Sequence, residues 1–209
     1  MILHLLVNAT DIVYCRLADN SALPALTGYV AEAIFSPPNP SSLPVPTHLV
    51  DAYCGSGLFA ITLQDRFQKV AGVEIDANAI KRAKLNVELN VIDPPGKMEF
   101  LAGSAQAIFA TVQAFPRLGT ALIIDPPRKG CDTAFLTQML EFGAGTVVYV
   151  SCNVHSQARD MEVILRGEVS LDGGERKGKY VLESVSGLDL FPQTSHVESI
   201  AVLRLAERA

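Results

Sequence analysis

The sequence predicts an α/β fold in which helices cover both faces of a mostly parallel β-sheet that ends in an antiparallel pair of strands. Between residues 49 and 165, short strand-like runs alternate with segments of helical periodicity. The runs are apolar at nearly every position, which is typical of parallel strands buried on both faces. The last two runs, at 180–185 and 197–205, have no helix between them that is long enough for a parallel crossover. We therefore expect these two strands to pair antiparallel.

The predicted elements follow one another at short intervals. Apolar residues at helical spacing indicate a helix at 21–35, and five prolines between residues 37 and 46 make an extended connector. We accordingly divide the chain into an N-terminal segment, 1–46, and a main domain, 47–209. The main domain has predicted strands at 49–53, 70–75, 98–102, 121–124 and 146–150, and predicted helices that start at or near residues 58, 77, 105, 132 and 154.

The composition is that of one globular domain in a reducing compartment. The chain has 209 residues, 49% hydrophobic and 19% charged, with a net charge of -5. A chain of this length buries roughly 70% of its unfolded surface, so it needs neither disulfides nor a structural metal. No apolar run reaches the roughly 20 residues that span a bilayer. The four cysteines contain no Cys-x-x-Cys pair, which argues against a metal site. We expect an intracellular protein, cytoplasmic or nuclear or mitochondrial, without metal or membrane contact.

A glycine turn between the first strand and the first helix of the main domain predicts a nucleotide-like ligand. The segment at 50–60 reads Val-Asp-Ala-Tyr-Cys-Gly-Ser-Gly-Leu-Phe-Ala, and its bare backbone lies at a helix N-terminus. Glu74 ends the next strand, where it can accept hydrogen bonds from the two hydroxyls of a ribose. Gly55, Gly57 and Ala60 also satisfy the loose dinucleotide fingerprint, so a nicotinamide dehydrogenase and a plain strand-to-helix turn both remain open.

Two further segments lie at the carboxyl ends of predicted strands, where open α/β sheets bind ligands. The segment at 125–130, Asp-Pro-Pro-Arg-Lys-Gly, follows the fourth strand, and its prolines stiffen a loop that could hold a flat base or a cofactor group. Cys152 follows the fifth strand and precedes a helix, a position that stabilises a thiolate. By spacing alone, a strand terminator and a buried inert cysteine are the alternatives. Glu198, at the start of the last strand, is either a general base or a solvated carboxylate.

Taken together and in this order, these segments resemble the S-adenosylmethionine-dependent RNA uracil-5-methyltransferase family. The resemblance covers about residues 20 to 205, and the wording of the glycine loop and of the segment after Cys152 is closest to the eukaryotic, in particular fungal, transfer RNA branch. The matching segments are 20–24, 51–59, Glu74, 125–130, 149–153, 158–160 and 196–199.

The resemblance implies a Rossmann-like class I methyltransferase fold and a role for each matching residue. The main domain would be the catalytic domain, with S-adenosylmethionine as cofactor and RNA, most simply the T loop of tRNA, as substrate. Cys152 would add to C6 of the target uracil, and Glu198 would remove the proton from C5. The implied cofactor-binding residues are Tyr53, Gly55, Gly57, Glu74 and Asp125. The implied substrate-binding residues are Asp125, Arg128 and Asn153. The sequence does not determine the oligomeric state.

The sequence departs from the family pattern at three places. The Phe-Phe-Gln segment that contacts the cofactor is replaced by residues 15–19, and an acidic residue expected near the adenine is Ser104. The family's β-barrel RNA-binding domain is also missing. We therefore expect a catalytic domain from a truncated, alternatively started or misassembled gene. The alternative is a catalytically impaired module that binds RNA or protein.

Overall fold

A computed structural model describes residues 22–37, 42–90, 96–105, 107–167, 180–190 and 192–206. Within these ranges seven strands form one sheet in the order β3-β2-β1-β4-β5-β7-β6. Neighbours among β1 to β5 pair parallel, and β7 pairs antiparallel with both β5 and β6. The strands are β1 His48–Ala52, β2 Lys69–Glu74, β3 Met98–Ala102, β4 Thr120–Ile124, β5 Thr146–Ser151, β6 Tyr180–Leu188 and β7 Glu198–Leu205.

Six α-helices lie in the described residues, three on each face of the sheet. One hydrophobic core joins α1 to α3 to one face, and a second joins α4 to α6 to the other. Side chains alternate between these cores along each strand, so that Val148 faces the first and Tyr149 the second. The helices are α1 Ala22–Phe35, α2 Leu58–Leu63, α3 Ala77–Leu89, α4 Ala107–Thr111, α5 Thr133–Phe142 and α6 Val154–Arg166.

Side-chain caps and left-handed residues set the helix ends that matter for the sheet edge. The carboxylate of Asp132 accepts from the amide of Phe135 at 2.8 Å and starts α5. The amide oxygen of Asn153 accepts from His155 at 3.1 Å and starts α6. Gly143 and Gly167 end these two helices in the left-handed conformation, which costs glycine least.

The fold prediction is confirmed in its class and in its C-terminal antiparallel pair. The strand bounds differ from the predicted ones by a residue or a few, the largest extension being that of β6 to Leu188. The sequence did not reveal that β7, rather than β6, lies next to β5. The helix α1 packs on the same core as the main domain through Leu26, Val30 and Ile34, and the boundary at residue 47 stays a prediction. Residues 15–19 lie outside the described residues.

No helix in the described ranges combines the length and the apolar character that a bilayer crossing requires.

Candidate active site

The residues singled out from the sequence lie at one edge of the sheet. Strands β1, β2, β4 and β5 end there, and β7 begins there because it runs in the opposite direction. The carboxyl edge of a parallel sheet is the usual place for ligands in such folds. In chain order these residues are Tyr53, Gly55, Gly57, Glu74, Asp125, Arg128, Cys152, Asn153 and Glu198.

The glycine loop between β1 and α2 adopts a backbone that needs its glycines. Gly57 caps α2 at φ 94°, and a Cβ there would lie 2.8 Å from Cδ1 of Ile61 and 3.2 Å from Cζ of Phe100. Gly55 also has a positive φ, 53°, but a Cβ on it would meet no atom within 4 Å. The first glycine therefore faces open space, while the second is packed against the protein interior. The backbone of the loop is therefore open to a ligand at Gly55 and covered by protein atoms at Gly57.

Asp51 is a buried carboxylate at the base of this loop. One of its oxygens, Oδ2, accepts from the amide of Ala60 at 3.0 Å, so the strand residue caps the helix that follows. The other oxygen, Oδ1, has no hydrogen-bond partner in the described residues. Burial raises the pKa of Asp51 to about 7, and the negative charge of Glu74 adds to the rise, while the amide of Ala60 opposes it. In the sequence Asp51 is part of the glycine segment, and no pattern there predicts its role as a helix cap.

Glu74, at the end of β2, holds the glycine loop from the neighbouring strand. Its Oε2 accepts from the amide of Gly55 at 3.1 Å and its Oε1 from the amide of Asp76 at 3.1 Å. Each carboxylate oxygen has a second lone pair, so Glu74 can accept further hydrogen bonds from a ligand. The prediction that Glu74 ends the second strand beside the glycine turn is thus confirmed as geometry.

The side chain of Tyr53 packs against the protein and is only partly exposed to solvent. The residue has a positive φ of 67°, and its half-buried ring packs against Phe135 of α5 with ring centroids 5.2 Å apart. Burial raises the pKa of the Tyr53 hydroxyl, and the neighbouring Cys131 raises it further. The phenol therefore stays protonated in any reaction at neutral pH. Its predicted contact with a cofactor stays a prediction.

Asp125 directly follows β4, the strand that lies between β1 and β5 in the sheet. Solvent reaches the residue, yet protein surrounds it on most sides. This surrounding protein raises the pKa of Asp125 above its ordinary range, and the charges of Glu198, Asp51 and Glu74 raise it further. The carboxyl groups of three other strands thus act on Asp125, and a cation bound beside it would be stabilised.

Cys152 and Glu198 are brought together by the pairing of β5 with β7. Ser151 pairs with Ser199, and Cys152 and Glu198 are the next residues beyond that pair at the same edge. Glu198 is buried, and this burial raises the pKa of its carboxyl to about 7. A carboxyl group with this pKa can exchange a proton near neutral pH.

Cys152 differs from the other cysteines in the described part of the chain. Cys54 and Cys131 are buried, whereas Cys152 is only partly buried. Burial raises the pKa of both buried thiols, that of Cys131 to about 12, so they remain protonated. Cys152 immediately precedes Asn153, the N-cap residue of α6. The geometry therefore leaves this thiol as the accessible nucleophile among the described cysteines.

Arg128 and Asn153 are linked through the backbone. The side-chain amide of Asn153 donates from Nδ2 to the carbonyl of Arg128 at 2.9 Å, while its oxygen caps α6. The Arg128 side chain is exposed next to the loop. Asn153 thus fixes the loop after β4 to the helix after β5, a contact between distant segments that spacing does not reveal.

Gln157 and Asp160 of α6 complete this side of the edge. Gln157 donates to the carbonyl of Tyr149 at 2.8 Å and accepts from the hydroxyl of Ser199 at 2.6 Å, which joins β5 to β7. Asp160 is buried and accepts from the hydroxyl of Tyr149 at 2.7 Å. In the sequence Asp160 belongs to the segment 158–160 that resembles the family, whereas Gln157 lies outside it. A charged residue on the buried face of a helix was the available signal for Asp160.

In the described ranges no group of three His, Cys, Asp or Glu side chains is arranged to hold a metal ion.

A family model described as tRNA (Uracil-5-)-methyltransferase matches residues 44–205. The matched range contains all the strands of the sheet and every residue of the edge described above. The chain belongs to the tRNA (uracil-5-)-methyltransferase family. This match confirms the resemblance seen in the sequence.

Two fungal members of the family are similar over most of the chain. The tRNA (uracil(54)-C(5))-methyltransferase of Schizosaccharomyces pombe is 42% identical over 186 residues, which are 88% of this chain and 33% of that protein. The enzyme of the same name from Saccharomyces cerevisiae is 40% identical over 186 residues, covering 89% of this chain and 27% of that protein. The chain thus spans about a third or less of these relatives.

A solved structure from the same family has a similar fold. The crystal structure of Pyrococcus abyssi tRNA (uracil-54, C5)-methyltransferase in complex with S-adenosyl-L-homocysteine has a TM-score of 0.65 and 29% identity to this chain. The similarity covers 87% of this chain and 38% of that chain. The Rossmann-like methyltransferase architecture that we predicted is therefore confirmed.

Proposed function

We propose that this chain transfers a methyl group from S-adenosylmethionine to C5 of a uridine in RNA, with the T loop of tRNA as the preferred substrate. The observation that carries the proposal is the meeting of an accessible thiol and a buried carboxyl at one sheet edge. Cys152 and Glu198 come from distant parts of the chain and lie just beyond the paired residues Ser151 and Ser199. The glycine loop ends at the same edge.

The residues at the glycine loop fit S-adenosylmethionine. The unpartnered oxygen of Asp51 and the spare lone pairs of Glu74 are acceptors for the hydroxyl and ammonium groups of this cofactor. The open space beside Gly55 lets backbone approach a ligand closely. Asp125, with three other carboxyls around it, favours a cationic ligand. Tyr53 and Gly57 would complete the cofactor site. When bound, the cofactor supplies an electrophilic methyl group on a sulfonium.

Cys152 would act as the nucleophile, because C5 of uracil is too weakly nucleophilic to take a methyl group directly. The thiolate forms a bond to C6, and the electron pair of the C5–C6 double bond moves to the ring carbonyl as an enolate. C5 would then be nucleophilic enough to take the methyl group that the cofactor supplies. Cys152 is the accessible thiol among the described cysteines, and it lies directly before Asn153, the N-cap residue of α6.

Glu198 would act as the base that completes the reaction. Its carboxylate takes the proton from methylated C5, the C5–C6 double bond reforms, and the thiolate of Cys152 leaves C6. A pKa of about 7 suits this role, because the carboxylate is available near neutral pH and the acid formed can return its proton to water. The carboxyl is buried, which keeps it out of competition with bulk solvent.

The substrate would be a uridine outside a regular duplex. Flipping a base out of a duplex costs a few kcal/mol, and less in a loop, so a structured RNA loop is the easier target. Arg128 presents an exposed cation on the loop after β4, and Asp125 and Asn153, at the same sheet edge, would contact the base. The net charge of -5 gives the chain little general attraction for phosphate, so we expect weak RNA binding by this chain alone.

A methylation assay tests the proposal directly. Unmodified tRNA and an unmodified ribosomal RNA fragment are each incubated with the chain and S-adenosylmethionine, and nucleosides are analysed by mass spectrometry. We expect 5-methyluridine in the tRNA at the T-loop uridine and much less in the ribosomal fragment. A chain that binds the cofactor but methylates neither RNA would contradict the proposal and support the impaired binding module instead. Ser104, which is exposed after β3 in place of an acidic residue, is the feature that favours that second candidate.

A further inference from the structure

Helix α6 holds the loop at 125–131 through two consecutive residues, Arg159 and Asp160. The amide of Cys131 donates to Oδ2 of Asp160 at 2.7 Å. The guanidinium of Arg159 donates to Oδ1 of Asp160 at 2.7 and 3.0 Å and to the carbonyl of Lys129 at 2.8 Å. Both ends of a three-residue stretch of this loop are therefore bonded to the helix.

The same carboxylate also reaches the strand that leads to the nucleophile. Oδ2 of Asp160 accepts from the hydroxyl of Tyr149, a fully buried residue three positions before Cys152. Asp160 is almost wholly buried, so removing any of its donors leaves charge without compensation. One side chain thus bonds to the loop after β4, to β5 and to its neighbour on α6.

The packing leaves the loop no room to shift toward the helix. Gly130 has a φ of +81°, and a Cβ on it would lie 2.5 Å from both Oδ2 of Asp160 and Nη2 of Arg159. The amide of Gly130 also donates to the carbonyl of Pro127 at 2.7 Å, which closes the turn. Together with the bond from Asn153 to the carbonyl of Arg128, these contacts set where the turn lies against α6.

We propose that Asp160, with Arg159, is a positioning residue that fixes Asp125 and Arg128 relative to Cys152. The inference rests on the proposed function and goes beyond it, because neither residue touches the reacting atoms. Bond formation between a held base and a thiol depends on placement to within a fraction of an ångström, and a misplacement of about 1 Å can cost roughly a hundredfold in rate. The contacts of Asp160 and Arg159, here called the tether, meet that need because they join the loop at 125–131 to α6 and to β5, the strand that ends just before Cys152.

The chain provides a matched pair of substitutions for the test. Arg159→Lys keeps the positive charge, but an ammonium cannot bond to Asp160 and to the carbonyl of Lys129 in the planar geometry of a guanidinium. Arg166→Lys makes the same change at the end of the same helix, where Arg166 pairs with the exposed Glu162 at 2.7 Å. Asp160→Asn is a second variant that removes the charge at nearly constant size.

The measurements are single-turnover methylation of tRNA, cofactor affinity by calorimetry, and amide hydrogen exchange of residues 128–131. For Arg159→Lys we expect methylation about tenfold slower, cofactor affinity within about twofold of wild type, and faster exchange in the loop. Arg166→Lys should match wild type in all three. A general loss of folding would instead weaken cofactor binding in parallel with the rate. Asp160→Asn should show the larger loss of rate.

Equal methylation rates for Arg159→Lys and Arg166→Lys would overturn the inference, and so would unchanged exchange of residues 128–131 in both Arg159→Lys and Asp160→Asn. Failure of the proposed function gives a different result, because the wild-type chain would then make no 5-methyluridine at all. In that case the exchange data would still decide whether the tether exists.

Discussion

The two halves of the sheet edge are held in different ways. The glycine-loop half, residues 51–60 with Glu74, is held by bonds within the loop and by the carboxylates of the two strands beside it: the amide of Gly57 donates to the carbonyl of Cys54, and the amides of Ala60 and Gly55 donate to Asp51 and Glu74. The thiol half, residues 125–131, 151–160 and 198–199, is held mainly by side chains of α6, which bond to the loop after β4 and to β7.

This difference follows from what each half would bind. A nucleotide-like cofactor is recognised by bare backbone, a helix end and a few acceptors at the strand ends, so a glycine turn and the carboxylates beside it can form its site. A reacting base must be placed against a thiol and a carboxyl from separate strands, and long-range side-chain contacts are needed to keep these strands in register. Substitutions in the first half should therefore affect cofactor affinity, and substitutions in the second half should affect the rate.

Glu198→Gln should slow turnover more than any of the substitutions below, because it removes the proposed base. It changes a residue of the thiol half and none of the glycine-loop half. Without a base, turnover should fall on the order of a hundredfold to ten-thousandfold, while cofactor affinity stays unchanged. The methylated covalent adduct should accumulate with natural tRNA and be visible by denaturing gel. Glu162→Gln, an exposed carboxylate of α6, is the control and should leave turnover unchanged. Normal turnover of Glu198→Gln would remove this residue from the mechanism.

The pH dependence of turnover follows from the same carboxyl. Because burial raises the pKa of Glu198 to about 7, the base form is lost below that pH. Wild-type turnover should rise between pH 6 and 8 with a midpoint near 7. The residual turnover of Glu198→Gln should not rise with pH in this range. A wild-type rate that is flat across this range would show that another group limits the reaction.

Gly57→Ala should disturb the backbone of the glycine-loop half. A φ of 94° combined with the contacts to Ile61 and Phe100 should destabilise the chain by about 2–3 kcal/mol and weaken cofactor binding. Gly55→Ala, with positive φ but open space around its Cβ, should cost only about 1 kcal/mol. Urea unfolding and calorimetry measure both effects. Equal losses for the two variants would mean that the packing around Gly57 has no influence.

At pH 8, Asp51→Asn should change stability and cofactor affinity in opposite directions: the free energy of unfolding rises and the cofactor affinity falls. The pKa of Asp51 is raised from about 4 to about 7, so its contribution to stability is fully present below pH 4 and is lost as the pH rises to 7. An asparagine can keep the bond to Ala60 without this loss. The variant should therefore be more stable than wild type at pH 8, by up to about 4 kcal/mol, yet bind the cofactor less tightly.

The decisive quantity for Asp51 is the stability difference between variant and wild type, followed from pH 5 to pH 8 by denaturant unfolding without cofactor. We expect the advantage of the variant to grow as the pH rises. An advantage that shrinks, or one that is constant, would contradict the pKa that burial gives to Asp51.

The smallest effect is expected at a site remote from both halves. Gly28 is exposed in the middle of α1, and a Cβ on it would meet no atom within 4 Å. Gly28→Ala should stabilise the chain by about 0.5–1 kcal/mol through helix propensity, without change in cofactor affinity or rate. Thermal unfolding measures the gain. A change in turnover would show that α1 affects the edge after all.

The glycine-loop half could be predicted from the sequence because its geometry is local. Gly55 and Gly57 are two residues apart, and Glu74 lies at the end of the next strand, so a motif and a strand pattern place them together. Cys152 was placed at the correct strand end for the same reason, since apolar runs define where β5 stops.

The arrangement of the thiol half could be predicted only in part. Strand β7 could have been placed on either side of β6, because an antiparallel pair has no inherent order in the sheet. The bond from Cys131 to Asp160 joins residues 29 positions apart and depends on how α6 packs on β5. The unpartnered oxygen of Asp51 likewise appears only when the helix it caps is in place. Such contacts are properties of the tertiary fold.

The most direct test of the account is to locate the covalent bond between protein and RNA. The chain is incubated with S-adenosylmethionine and tRNA that contains 5-fluorouridine, in which no C5 proton can be removed, and is then digested with nuclease and protease. We predict a single nucleotide-linked peptide that contains Cys152, absent from Cys152→Ala. Attachment at another cysteine, or methylation of natural tRNA by Cys152→Ala at the wild-type rate, would contradict the central claim.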